Sequence, residues 1–327
     1  MRRMTPYFSA KGRSAMISCT EFIPSYSELF TYLEDHYGRP EVERFWTYLF
    51  APTGDGIPLV NFVKKDGLRG AWNYWAGTLT EEAADCVKYM NEKEGWIFSE
   101  MRYCPSKGRL LELEKEIGLK PYYDYCGHCD YYRASLAKAG LDWTRCHIHV
   151  DEASCMSLVF DPKVFKGMMT RDENTEILDI KPSEHEYFHR DFHSSLNMGI
   201  DFLAKEHGEE ALRDYLKLYT LHVYKPVFEK MKQGAMNAIE EKIRKTYHLE
   251  HADDVLSIEK KDGKMNVKIA YCPAVKHLHE TGRKVSAWFK LGTEVVMQTL
   301  AECGGLKFAM ESYDDATGAA AYSFAEK

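Results

Sequence analysis

Residues 254–272 read DVLSIEKKDGKMNVKIAYC. Apolar and polar residues alternate on both sides of Asp262-Gly263, a dipeptide suited to a tight turn, so the stretch predicts a β-hairpin. Pro273 follows at once and suits the first turn of a helix, which is expected to close at Gly282. A further helix closing at Gly304 and a last hairpin, LKFAMESYDDATGAAAYSF (306–324), complete the pattern. Strands paired locally, with helices set apart from them, indicate an α+β fold with a small antiparallel sheet; a parallel sheet would need alternation of strand and helix.

The same order of signals occurs earlier in the chain. EFIPSYSELFTYLEDHYG (21–38) meets DFHSSLNMGIDFLAKEHG (191–208), pairing Phe22 with Phe192, Ser25 with Ser195, Leu33 with Leu203 and Gly38 with Gly208. Tyr103-Cys104-Pro105 meets Tyr271-Cys272-Pro273, and Gly118, Gly140, Asp151 and Phe160 then meet Gly282, Gly304, Asp315 and Phe324. This self-similarity predicts a duplicated domain: a lead-in at 1–17, a first repeat at 18–162, a linker at 163–187 and a second repeat at 188–327, the copies packed as a pseudo-dimer.

Composition sets the outer bounds. The 327 residues are 45% hydrophobic and 13% aromatic, with a net charge of −7 and a pI of about 6.0. That is a chain with a real core and without the basic face that nonspecific nucleic-acid binding needs. No run approaches the length of a membrane helix, and MRRMTPYFSAKGRSAM has no apolar segment of the signal-peptide kind. With no secretion signal, the nine cysteines fit a reducing, cytoplasmic setting. The motifs G-x-G-x-x-G, P-loop, G-x-S-x-G and H-E-x-x-H are absent, which disfavours nucleotide enzymes and serine hydrolases.

The chemistry-bearing stretch is YCGHCDYY (125–132). Cys126 and Cys129 form a C-x-x-C pair at an expected helix start, where the helix N-terminus would lower the thiol pKa. The second repeat has Lys290, Leu291, Gly292 and Thr293 there, so the scaffold does not need the cysteines to fold. Asp130 stands four residues after Cys126, on one face of an α-helix, so thiol and carboxylate could ligate a metal or act as nucleophile and acid/base. A structural cysteine beside a solvated aspartate is the bland alternative. Cys104 and Cys272 recur before proline in both copies and read as packing residues.

The run MRYCPSKGRLLELEKEIGLKPYYDYCGHCDYYRASLAKAGLDWTRCHIHVDEASCMSLVF (101–160) resembles the L-2-amino-thiazoline-4-carboxylic acid hydrolase family. The likeness rests on Cys104-Pro105, a helix to Gly118, Cys126 with Asp130, Gly140, and a terminal hairpin carrying Cys155. It covers about 60 residues clearly and most of the first copy loosely. The resemblance implies hydrolysis of a C–N or C–S bond in a small cyclic molecule, with Cys126 as nucleophile or metal ligand and Asp130 as acid/base. The chain departs from the usual single-domain pattern by being doubled, and its second copy lacks counterparts of Cys126, Cys129 and Cys155.

Histidines supply the remaining candidates. His185, His189 and His193 would line one face of a continuous helix, and neighbours at i and i+4 could share a metal ion. His147 and His149 alternate on an expected strand and would point the same way. The expected catalytic set is therefore Cys126, Asp130, His149 and Cys155. The metal set, should one divalent ion (Zn, Fe or Mn) be present, is Cys126, Asp130, His189 and His193, in a site composed from both copies. A metal-binding or ligand-binding sensor without turnover is the rival reading, and thiol–disulfide exchange through Cys126 and Cys129 is a third. The expected partner is a small-molecule substrate, not nucleic acid or membrane; homo-oligomerisation stays open.

Overall fold

The computed structural model describes residues 17–51 and 57–327. The lead-in expected at 1–17 thus lies, Ile17 apart, outside the described residues. They divide into two compact units: one of Leu33–Glu114 and Lys120–His189, the other of 17–32, Lys115–Leu119 and Arg190–Lys327. The architecture is α+β, with an antiparallel sheet in each unit.

The chain begins with α1 (Phe22–Tyr37), α2 (Arg39–Leu49) and α3 (Leu59–Glu81). A hairpin of β1 (Asp85–Asn91) and β2 (Trp96–Tyr103) follows, then α4 (Pro105–Ile117). A 3-10 turn at Tyr125–Tyr131 leads into α5 (Tyr132–Leu136), and β3 (Asp142–His149), β4 (Ser154–Phe160) and β5 (Glu176–Ile180) close the series. The second series is α6 (Phe192–Val223), α7 (Lys225–Leu249), β6 (Leu256–Lys261), β7 (Lys264–Ile269), α8 (Pro273–Glu280), α9 (Leu291–Cys303), β8 (Leu306–Tyr313) and β9 (Ala320–Glu326).

The strand orders are β3-β4-β2-β1-β5 and β6-β7-β9-β8. Read from its last hairpin, the second sheet is β8-β9-β7-β6, the same order as the first without β5. A duplication would produce this correspondence, and the duplication is a proposal that it supports. The 262–263 hairpin forms as expected: Lys261 pairs with Lys264, and Asp262 and Gly263 take φ of 50° and 71°, the primed turn that matches strand twist. Gly38 (φ 83°, ψ 166°) and Gly208 (φ 90°, ψ 167°) break their helices in nearly the same conformation, one that only glycine adopts without strain.

Two expectations differ in detail. The segment 163–187 is not only a connection, because its EILDI (176–180) pairs with β1 and buries Ile180 opposite Cys86. His185, His189 and His193 do not share a helix: Pro182 opens a short 3-10 turn, His185 is extended, and α6 begins only at Phe192.

In the first unit Phe45, Trp46, Trp96, Leu110 and Leu136 are essentially inaccessible. In the second, α9 lies on α6 and β8, with Val296, Leu300, Tyr322 and Phe324 fully buried. Each such side chain contributes about 1.5–3 kcal/mol relative to exposure. Among the described residues no helix is long and apolar enough to cross a membrane.

Candidate functional site

The CGHC segment is a 3-10 turn, not an α-helix. Gly127 is needed there: a Cβ would stand 2.6 Å from an Asp124 carboxylate oxygen, and that carboxylate is pinned by Arg39 at 2.5 Å. At three residues per turn, positions i and i+3 eclipse and i+4 lies about 120° away. Cys126 therefore shares a face with Cys129, not with Asp130, which corrects the expected thiol–carboxylate pair. Asp130 is exposed and accepts from Arg145 Nε at 2.8 Å.

The thiols form one electrostatic cluster. Cys104, Cys126, Cys129 and Cys155 act on one another's ionisation. Burial pushes Cys126 and Cys129 up to about 11 and Cys155 up to about 12; Cys104 is driven well up by the same cause. Lys107 opposes this at Cys126, and Arg145 at Cys126, Cys129 and Cys155, without prevailing. A seven-residue 3-10 turn has little dipole to lower a thiol pKa, so the activation expected at Cys126 is absent. Each of these cysteines is free, and Cys126 and Cys129 are not disulfide-bonded.

Two further residues belong to this cluster. His128 Nε2 lies 3.7 Å from Cys129 Sγ, and burial takes its pKa down to about 4, so the imidazole is neutral. Glu82, directly after α3, is half-buried; burial raises its pKa, with His189 and the Ser106 hydroxyl (3.4 Å) opposing. Its charge is felt at Cys129. The first unit thus gathers weakly acidic thiols, a neutral imidazole, a carboxyl of raised pKa and the guanidinium of Arg145.

Of the other expected residues, Cys155 belongs to this cluster and His189 acts on Glu82. β3 bulges between Cys146 and His149, with His147 at φ 48°, so the regular alternation of His147 and His149 is lost; both are exposed. Cys155 sits on β4 opposite Met101. His185 is half-buried in the extended stretch before α6. His189 belongs to the first unit and meets Glu81 at 2.6 Å, whereas His193 belongs to the second and meets Glu250 at 3.0 Å. The expected metal set of Cys126, Asp130, His189 and His193 is therefore not gathered as one group.

Within the second unit His193 has other company. Cys19, His193 and Glu250 are buried, with their ligand atoms all within 4.8 Å of one another. Glu250 Oε2 faces His193 Nε2, and Oε1 accepts the Cys19 backbone N–H at 2.7 Å. These contacts hold the Glu250 carboxyl below its ordinary pKa in spite of burial, His193 being the largest favourable cause. A cavity of about 40 Å³ is lined by His193, Glu250, Cys272, Ser18, Thr246 and Thr293 among others.

Sequence reasoning missed Cys19, Glu250, Glu82 and His128. Cys19 and Glu250 are 231 residues apart, beyond any local pattern. One signal was present: Glu82 recurs as Glu250 at the spacing of 168 that also relates Cys104 to Cys272. No protein-family model, no curated protein and no solved structure matches the chain.

Proposed function

We propose that the protein is a hydrolase of a C–N or C–S bond in a small cyclic molecule, working at the cysteine-lined site of the first unit. The observation that carries this reading is Glu82, a carboxyl whose pKa burial raises, within electrostatic reach of Cys129. Perturbed titratable groups gather at functional sites more than elsewhere.

The roles differ from those of a thiolate nucleophile. A thiol at about 11 is scarcely ionised at neutral pH, so Cys126, Cys129 and Cys155 act as neutral walls and weak donors. Glu82 is the general acid. Water adds to the ring C=N carbon as Glu82 gives its proton to the ring nitrogen and takes the one that the water loses, which leaves a tetrahedral intermediate with a hydroxyl. As the intermediate collapses, the hydroxyl proton passes to Glu82, the proton of Glu82 passes to the departing nitrogen or sulfur, the C–N or C–S bond breaks and the carbonyl forms. Arg145, whose side chain is 6% exposed, supplies fixed positive charge for a substrate carboxylate.

The test is turnover of a panel of cyclic thiazoline and amidine carboxylates, followed by mass spectrometry, for wild type and Glu82→Gln. General-acid loss is expected to slow turnover about 10²–10⁴-fold. The acid is protonated below its raised pKa and ionised above it, so wild-type activity falls as pH rises through that value. Undiminished turnover in Glu82→Gln would sink the assignment. The uniform protonation of the thiols favours a second reading, ligand binding without turnover; binding of a panel member with no product at any pH would select it.

A further inference from the structure

We infer that Cys19, His193 and Glu250 bind one divalent transition-metal ion of the zinc class in the second unit, with a fourth coordination position opening onto the adjoining cavity. The site goes beyond the proposed hydrolase chemistry and does not rest on it.

Three observations carry the inference. The first is convergence. One sulfur, one imidazole nitrogen and one carboxylate oxygen, all from buried residues, lie within 4.8 Å of one another. Two ligands on a tetrahedral zinc ion stand about 3.4 Å apart when each bond is about 2.1 Å. His193 Nε2 and Glu250 Oε2, hydrogen-bonded at 3.0 Å, need part by only about 0.4 Å to reach that separation.

The second is orientation. Glu250 Oε1 is held by the Cys19 N–H at 2.7 Å, which leaves Oε2 on the His193 side. An outer hydrogen bond that fixes a carboxylate ligand is a usual support of metal sites.

The third is room. The cavity of about 40 Å³ accommodates an ion or a water molecule, and His193, 3% exposed, lines it.

Donor chemistry selects the ion. Calcium and magnesium prefer all-oxygen sites, whereas a mixed thiolate, imidazole and carboxylate set suits zinc and its neighbours. Thiolate and carboxylate together balance a divalent charge, so the occupied site is neutral in its buried setting. Three protein ligands with an open position is the pattern of a metal that keeps a water molecule. Binding releases the Cys19 thiol proton and tightens as pH rises.

The test uses the full chain, stripped with chelator and titrated with zinc or cobalt(II). About one equivalent of metal is expected, the cobalt form showing a thiolate-to-cobalt charge-transfer band and tetrahedral d–d bands. Cys19→Ser is expected to abolish the charge-transfer band, and His193→Gln to weaken binding at least tenfold, while Cys303→Ser leaves both unchanged. Circular dichroism checks that each variant is folded. Should the variants fail to fold, wild type alone decides: no charge-transfer band and no uptake by the folded protein overturn the inference. Stoichiometric metal that survives Cys19→Ser, or that is lost in Cys126→Ser instead, overturns it equally.

Discussion

Lys88 shows how one buried side chain ties stability to pH. It is 1% exposed, donates to Ser99 Oγ at 2.8 Å and stands 5.7 and 5.5 Å from the rings of Trp72 and Trp75. Burial lowers its pKa from 10.5 to about 8. The folded value lies below the unfolded one, so the unfolded chain holds the proton more tightly. The ammonium therefore destabilises the fold below about pH 8, and the penalty fades as pH rises towards 10.5. A shift of this size corresponds to about 3 kcal/mol, and stranding the Ser99 hydroxyl costs about 1 kcal/mol. Lys88→Met is thus expected to stabilise by about 2 kcal/mol near pH 7 and to lose that gain near pH 10, read by urea denaturation at both pH values. A variant weaker than wild type at pH 7 would refute the argument. At the same scale, Gly318 lies at φ 65° with a Cβ position 2.4 Å from Cys272 Cβ and 2.9 Å from Val275 Cγ2. Gly318→Ala is expected to cost about 2–4 kcal/mol, because neither neighbour is a flexible chain end.

Among the helices and strands, the sequence is legible where local rules govern. The 262–263 turn, the helices opening at Pro105 and Pro273 and both terminal hairpins lie where turn residues and periodicity put them. It is not legible where a longer contact decides. The CGHC turn tightens to 3-10 beside the Arg39–Asp124 ion pair, a link across 85 residues. β5 is a strand because β1 has a free edge for it, which its own polar surroundings do not announce. Gly208 interrupts α6 at φ 90° and ψ 167°. Gly208→Ala is expected to cost about 1–3 kcal/mol, read as a lowered urea midpoint. A change below a few tenths of that would mean that the helix bridges the break without strain.

Across the whole molecule, the cysteines sort by environment. Cys146 and Cys303 are exposed, while Cys19 and Cys86 are buried and the remaining five lie between. Titration of native protein with an aromatic disulfide at neutral pH is expected to modify Cys146 and Cys303 first. Cys126, Cys129 and Cys155 should follow slowly, at rates that climb as pH approaches 11. Prompt reaction of Cys126 at neutral pH would contradict the raised thiol pKa values and revive disulfide exchange as a function.

The α+β class, the order of helices and hairpins and the recurrence of Cys-Pro and of helix-breaking glycines are legible in the residues alone, because these follow from neighbours within a few positions. The site candidates were chosen by the same local spacing, and there the limit shows. Cys126 and Asp130 were paired on α-helical geometry that the chain does not adopt, and His185, His189 and His193 on a helix that starts only at Phe192. Tertiary structure alone decided that Glu82 and His128 join the thiol cluster and that Cys19, His193 and Glu250 converge. Burial sets the protonation of the first group and contacts over 57 and 231 residues assemble the second, and neither is written in local spacing.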